Sequence, residues 1–137
     1  MKNNQLTLIG ILGSIAVALG AIGAHYLKSK IDLGLITADQ VNGFDTGVKY
    51  HMYHTLAILI IFLLSKHIQS KHLTWAFNCF LIGIILFSGS LYLLCTRQLF
   101  HAGWLSVLGP ITPIGGLFLI AGWILLAMVG IKKDLKV

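Results

Sequence analysis

Two stretches of 25 residues without one formally charged side chain, positions 3–27 and 72–96, constrain this chain more than any other feature. A helix needs about 20 consecutive apolar residues to cross a bilayer core, and each stretch exceeds that. A third uncharged run, 98–131, is long enough for one span and a loop. The segment starting at Phe44 and running uncharged from Tyr50 to Ser65 supplies a fourth span. With 57% hydrophobic residues, 10% charged and a mean hydropathy of +0.88, the chain is too apolar for a soluble domain of its size. The reading is an all-α integral membrane protein, a four-helix transmembrane bundle with spans near 6–27, 44–65, 75–96 and 112–131. No repeat, low-complexity tract or soluble linker interrupts it, so residues 1–137 form one domain.

The net charge of +6 does not indicate nucleic acid, because the basic residues stand at span ends and not on one face among aromatics. Four spans put Lys2, Lys66, Lys71, Lys132, Lys133 and Lys136 on one side and Lys28, Lys30, Lys49 and Arg97 on the other. This six-to-four bias predicts an inner-membrane protein with both termini in the cytoplasm. Cys79 and Cys95 fall on one helix about 24 Å apart at 1.5 Å per residue, too far for a disulfide, and read as small apolar fillers.

Phe44 to Leu64 is polar and histidine-bearing in its first half and apolar in its second. At helical spacing Gly47, Tyr50, His51, His54 and Ile58 share a face, while Asp45 and Lys49 form an i,i+4 pair elsewhere. Thr37 and Gln40 fit a capping box, which predicts a short outer interfacial helix in the first loop, separated from span two at Gly43 or continuous with it through a kink. In span one Gly10, Ser14, Ala18, Ala21 and His25 stack on one face and Ala16, Gly20 and Ala24 on the adjoining one. Both are suited to close helix packing. Gly83 and Ser90 in span three, and Gly115 and Gly116 in span four, offer the same. His67 and His72 read as residues of the short inner loop. Arg97 to Gly109, with Phe100, His101 and Trp104, suits a segment lying in the outer interface. Thr112 is placed to cap span four, with Pro113 as its first residue.

Threading the spans in order brings His25, Tyr50, His54, Ser88 and Tyr92 towards one leaflet. Two readings of this cluster stay open: polar ties that lock helix pairing, or a ligand site. His25, His51 and His54 are weak candidates for a metal, since no carboxylate or thiolate completes a dedicated site, and haem ligation is no stronger. No cofactor is implied. Phosphate-binding loop, metalloprotease and nucleophile-elbow motifs are missing from the sequence, which argues against an enzyme.

LGAIGAHYL (19–27), the F-x-T-x-x-x-Y-x-x-x-H run from Phe44 to His54, LFSGSLYLL (86–94) and GPITPIGG through to Trp123 occur in order across nearly the whole chain. Together they resemble the domain-of-unknown-function 423 family, small membrane proteins that include bacterial YgdD-like and YwdK-like proteins and eukaryotic transmembrane protein 256. The resemblance implies a four-helix membrane fold with no established reaction. It places motif positions on Gly23, His25, Thr46, Tyr50, His54, Ser88, Gly89, Ser90, Tyr92, Pro113, Gly115, Gly116 and Trp123, and not on His51, where similar proteins often carry Gln. The combined expectation is a non-enzymatic protein, structural or regulatory in the envelope, working through contacts with lipids, with further copies of itself or with other membrane proteins. The alternative is a binder or transporter of a small polar or lipid-like ligand at the outer His/Tyr/Ser cluster.

Overall fold

The computed structural model describes residues 4–131. Within them the chain forms four long helices, each apolar enough to cross a membrane: α1 (Asn4–Asp32), α2 (Ala38–Leu64), α3 (Lys71–Thr96) and α4 (Ile111–Ile131). A single 3₁₀ segment, Gly103–Leu108, precedes α4. Lys2, Lys132, Lys133 and Lys136, which carry most of the charge predicted for the cytoplasmic side, lie outside the described residues.

Local chemistry sets the helix ends. In the α2 capping box, Thr37 Oγ1 accepts from the Gln40 amide at 3.2 Å and Gln40 Oε1 accepts from the Thr37 amide at 2.9 Å. The box opens α2 itself. Helix α2 runs unbroken from Ala38 through Gly43 to Leu64, so the first loop holds no separate interfacial helix. The expected short helix is the first turns of the span. Gln40 Nε2 also donates to the Cys95 carbonyl at 3.3 Å, tying the start of α2 to the end of α3.

Helix α1 ends in a Schellman motif: the Leu35 amide reaches the Lys30 carbonyl, the Gly34 amide reaches that of Ile31, and Gly34 takes φ +67°. The end of α3 repeats it with Ala102 to Arg97 and His101 to Gln98, except that His101 occupies the left-handed position at φ 51°. Ser70 caps α3 by accepting from the His72 amide, and His72 is buried in the first helical turn instead of lying in the loop. Helix α4 begins at Ile111, so Thr112 is not its cap. Pro113 still falls within the first turn, where its missing amide costs nothing.

Two antiparallel seams with heptad spacing join the helices in pairs. On α1 the seam is Ile9, Gly13, Ala16, Gly20, Gly23 and Leu27. A Cβ at Gly13 would meet Thr55, one at Gly20 would meet Val48 and one at Gly23 would meet Phe44. Gly10, Ser14, Ala18, Ala21, Ala24 and His25 are exposed on the other faces, and nothing lies within 4 Å of a Cβ built on Gly10. Of the small residues expected to pack, only Ala16 and Gly20 stand on this seam.

The α3–α4 seam sets a large group against a glycine at each level. Phe80 fits over Gly122, Leu119 over Gly83, and the Leu86–Phe87 backbone lies against Gly115. Ser90 and Thr112 close the seam with a 2.7 Å hydrogen bond. Ser90 also donates to the Phe87 carbonyl, so the Thr112 hydroxyl is the donor between them. Helices α1 and α3 each contain a π-turn at a close approach, Ile22–Leu27 around Gly23 and Ile84–Ser88 beside Gly115.

Helix α2 is central, packing on α1 and on α3, while α4 packs on α3. Near the chain termini all four helices feed one core, including Ile9, Ile61, Phe77 and Val129. At the opposite end, the core of Leu27, Ile36, Phe44 and Cys95 takes nothing from α4. A lateral groove between α2 and α4 follows from that asymmetry.

Candidate functional site

The groove has a volume of about 610 Å³ and is lined by Tyr50, Tyr53 and His54 of α2, Phe87 of α3, and Gly116, Leu119, Ile120 and Trp123 of α4. Helical spacing places these residues. Tyr50, Tyr53 and His54 lie within just over one turn, and Gly116, Leu119, Ile120 and Trp123 form one stripe of α4. The rings pack in contact: Tyr50 on Phe87 at 4.7 Å, His54 on Phe80 at 5.3 Å, and Phe80 edge-on to Trp123 at 5.2 Å.

His54 is buried behind this wall, with both ring nitrogens engaged. Nδ1 is 2.7 Å from the Tyr50 carbonyl, which can only accept. Nε2 is 3.2 Å from the Trp123 indole N–H, which can only donate. The network therefore fixes one tautomer, a neutral imidazole protonated at Nδ1, and leaves no nitrogen free for a metal or a substrate. Trp123 joins α4 to α2 across the groove through this bond. The residue pattern did not reveal that partnership, although the indole N–H of a tryptophan placed mid-span, away from water, is a signal that a partner is needed.

The other expected members of the cluster lie elsewhere. Tyr92 faces α2 on its other side, where its hydroxyl is 3.1 Å from His51 Nδ1 and its ring packs on Phe44 at 4.9 Å, and Ser88 is buried one turn before it on α3. His51 Nε2 and Ser88 Oγ are both buried without a hydrogen-bond partner among the described residues. His25 is exposed at the far end of α1, beside Lys28, Ser29 and Asp32. The α1–α2 register that sets Gly20 on Val48 and Gly23 on Phe44 puts His25 level with Gly43, about 16 Å along the bundle from His54. The two histidines share no site. Among the described residues no three His, Cys, Asp or Glu side chains are grouped to hold a metal ion, and His25, His51 and His54 occupy three separate places. Tyr50 and His54 are the members of the expected cluster that the fold does bring together. Asp45 and Lys49 form the expected pair at 2.6 Å, exposed one turn above Tyr53.

Comparison with known proteins gives one consistent result. Residues 19–116 match the family model described as "Protein of unknown function (DUF423)". A "UPF0382 membrane protein" of Haemophilus influenzae is 42% identical over 97% of this chain and 98% of its own length. The "UPF0382 membrane protein YwdK" of Bacillus subtilis is 41% identical over 89% of this chain and 94% of its own. The "UPF0382 inner membrane protein YgdD" of Escherichia coli is 36% identical, covering 96% and 92%. No solved structure matches the chain.

Proposed function

Given that the chain belongs to the DUF423 family of membrane proteins, we propose that it is a non-catalytic module, structural or regulatory in the envelope, that works through contacts its helices make within the bilayer. The observation carrying this reading is how the polar side chains inside the bundle are used. His54 has both nitrogens bound to α2 and α4, His51 is tied to Tyr92, and Ser90 to Thr112. Such groups are costly inside a membrane and serve here as ties between helices. None is paired with a nucleophile or base and turned towards an open cleft, as catalysis requires.

The proposed setting is the cytoplasmic membrane with both termini inside. The six-to-four basic bias supports it, as does the name of the Escherichia coli relative, an inner membrane protein. Lys66 and Lys71, on the side assigned to the cytoplasm, lie over the Phe62 and Trp75 rings, as expected for side chains anchored at an interface. An impermeant thiol reagent added to intact cells should label a cysteine introduced beside Asp39 and spare one beside Lys66. The reverse pattern overturns the orientation.

The non-catalytic reading is tested on protein purified in lipid. His54→Ala should lower the thermal midpoint and release no metal, haem or small polar molecule, followed on one sample by elemental analysis, absorbance and native mass spectrometry. Release of a stoichiometric species with the fold intact would refute it.

A further inference from the structure

We propose that the groove between α2 and α4 holds one acyl chain of an anionic phospholipid, with the lipid phosphate against Lys49 at the groove's mouth. The proposal goes beyond the structural role of the bundle and stands independently of it.

The lining defines the chemistry of the interior. Phe87, Gly116, Leu119, Ile120 and Trp123 offer aliphatic and aromatic surface, and the one buried polar side chain there, His54, has no hydrogen-bonding capacity left. Beyond the Tyr50 and Tyr53 hydroxyls on its lining, the groove offers little to an ion or a polar solute and suits a hydrocarbon chain. From Gly116 to Trp123 it runs for about 10 Å along α4. A single hydrocarbon chain fits within the groove's 610 Å³ over that length.

The mouth supplies the selectivity that the interior lacks. An acyl chain leaving the bilayer for an apolar groove gains little from hydrophobicity, because lipid tails are as apolar as the groove wall. A preference for one lipid class must come from the headgroup. The exposed Asp45–Lys49 pair belongs at headgroup or water level, since paired charges that are this exposed are not held in hydrocarbon. Lys49 stands one turn from Tyr53, and Cβ bonds tilt towards the N-terminus of α2, so Lys49, Tyr50 and Tyr53 lean towards that mouth. Tyr50 and Tyr53 are 41% and 58% exposed, amphipathic rings suited to the interface. The Lys49 ammonium has three N–H donors, of which the Asp45 carboxylate at 2.6 Å engages one, leaving donors for a phosphate oxygen.

The test is native mass spectrometry of the purified, delipidated protein titrated with palmitoyl-oleoyl-phosphatidylglycerol or, separately, palmitoyl-oleoyl-phosphatidylcholine. One phosphatidylglycerol should be retained per protein, about fivefold more tightly than phosphatidylcholine. Gly116→Leu and Ile120→Trp, which fill the groove, should weaken retention of both lipids about tenfold. A Cβ at Gly116 meets the Phe87 ring only at 3.7 Å, so the longer side chain can extend into the groove. Lys49→Ala should abolish the headgroup preference while leaving chain binding. Lys49 is outside the core, so this variant tests the mouth even where a groove variant fails to fold. Retention unchanged in the filled grooves, a headgroup preference that survives Lys49→Ala, no retained lipid, or a stoichiometric protein dimer that added lipid does not displace would each overturn the proposal.

Discussion

The α3–α4 seam permits a sharp test with two neighbouring glycines. A Cβ at Gly115 would lie 2.8 Å from the Leu86 carbonyl carbon and the Phe87 Cα, and closer still to the Phe87 amide nitrogen. These are backbone atoms and cannot rotate away. Restoring ordinary contact with the nearest of them, the Phe87 amide nitrogen, requires the two helices to separate by about 1.1 Å at this level. That opening would stretch the 2.7 Å Ser90–Thr112 bond to about 3.8 Å, past the useful range for O–H···O, with a loss of about 1 kcal/mol. It would also loosen Leu119 over Gly83 and Phe80 over Gly122, at an overpacking cost of about 1–3 kcal/mol. Gly115→Ala should therefore destabilise the bundle by about 2–4 kcal/mol. Gly116→Ala, one residue on, places its Cβ in ordinary contact at 3.7 Å and should be neutral or mildly stabilising, because alanine is the better helix former. Reversible unfolding in mixed detergent micelles, followed by circular dichroism, measures both. Equal stability of the two variants, within about 0.5 kcal/mol, would show that α3 and α4 are not in contact at Gly115.

Three further outcomes are expected in the same assay. His101→Gly should stabilise the protein by about 0.5–1 kcal/mol, since glycine occupies the left-handed cap position without the penalty paid by a side chain; a loss of stability would count against the cap geometry. In a double-mutant cycle of His54→Ala and Trp123→Phe, a coupling of about 0.6–1.7 kcal/mol should emerge, the range for hydrogen bonds between membrane helices, and strict additivity would rule out the contact. Ser88→Ala should cost nothing or stabilise, because its buried hydroxyl has no partner to lose among the described residues; destabilisation by more than about 1 kcal/mol would reveal one.

The chain's spans could be counted from sequence because bilayer thickness acts on one dimension, and the distance between charges along the chain measures it directly. The α2 cap was legible for the same reason of locality, while Thr112, expected to cap α4, falls inside that helix. Thr37 and Gln40 complete their box within four residues, whatever the rest of the protein does, although only the fold shows that the box opens α2 without a break at Gly43. The inward face of α1 was not legible. Lipid tails are as apolar as a protein interior, so residues such as Ile11, Ile15 and Val17 can remain on the outside, and two stripes of small residues compete with no hydropathy difference to separate them. The seam through Gly13, Ala16, Gly20 and Gly23 was decided by which side chains of α2 it meets. The candidate site followed the same division. Tyr50 and His54 are neighbours by helical spacing and could be grouped from sequence, but Trp123 is 69 positions from His54, and their hydrogen bond exists only once α3 has carried α4 to that depth. His25 shares a side of the bundle with the other polar residues by topology alone. Its distance from His54 depends on the register between α1 and α2, which the glycine contacts of the folded bundle set. The groove itself has no counterpart in the sequence, since it is the space left where α4 joins the shared core near the termini and contributes nothing to the core at the other end.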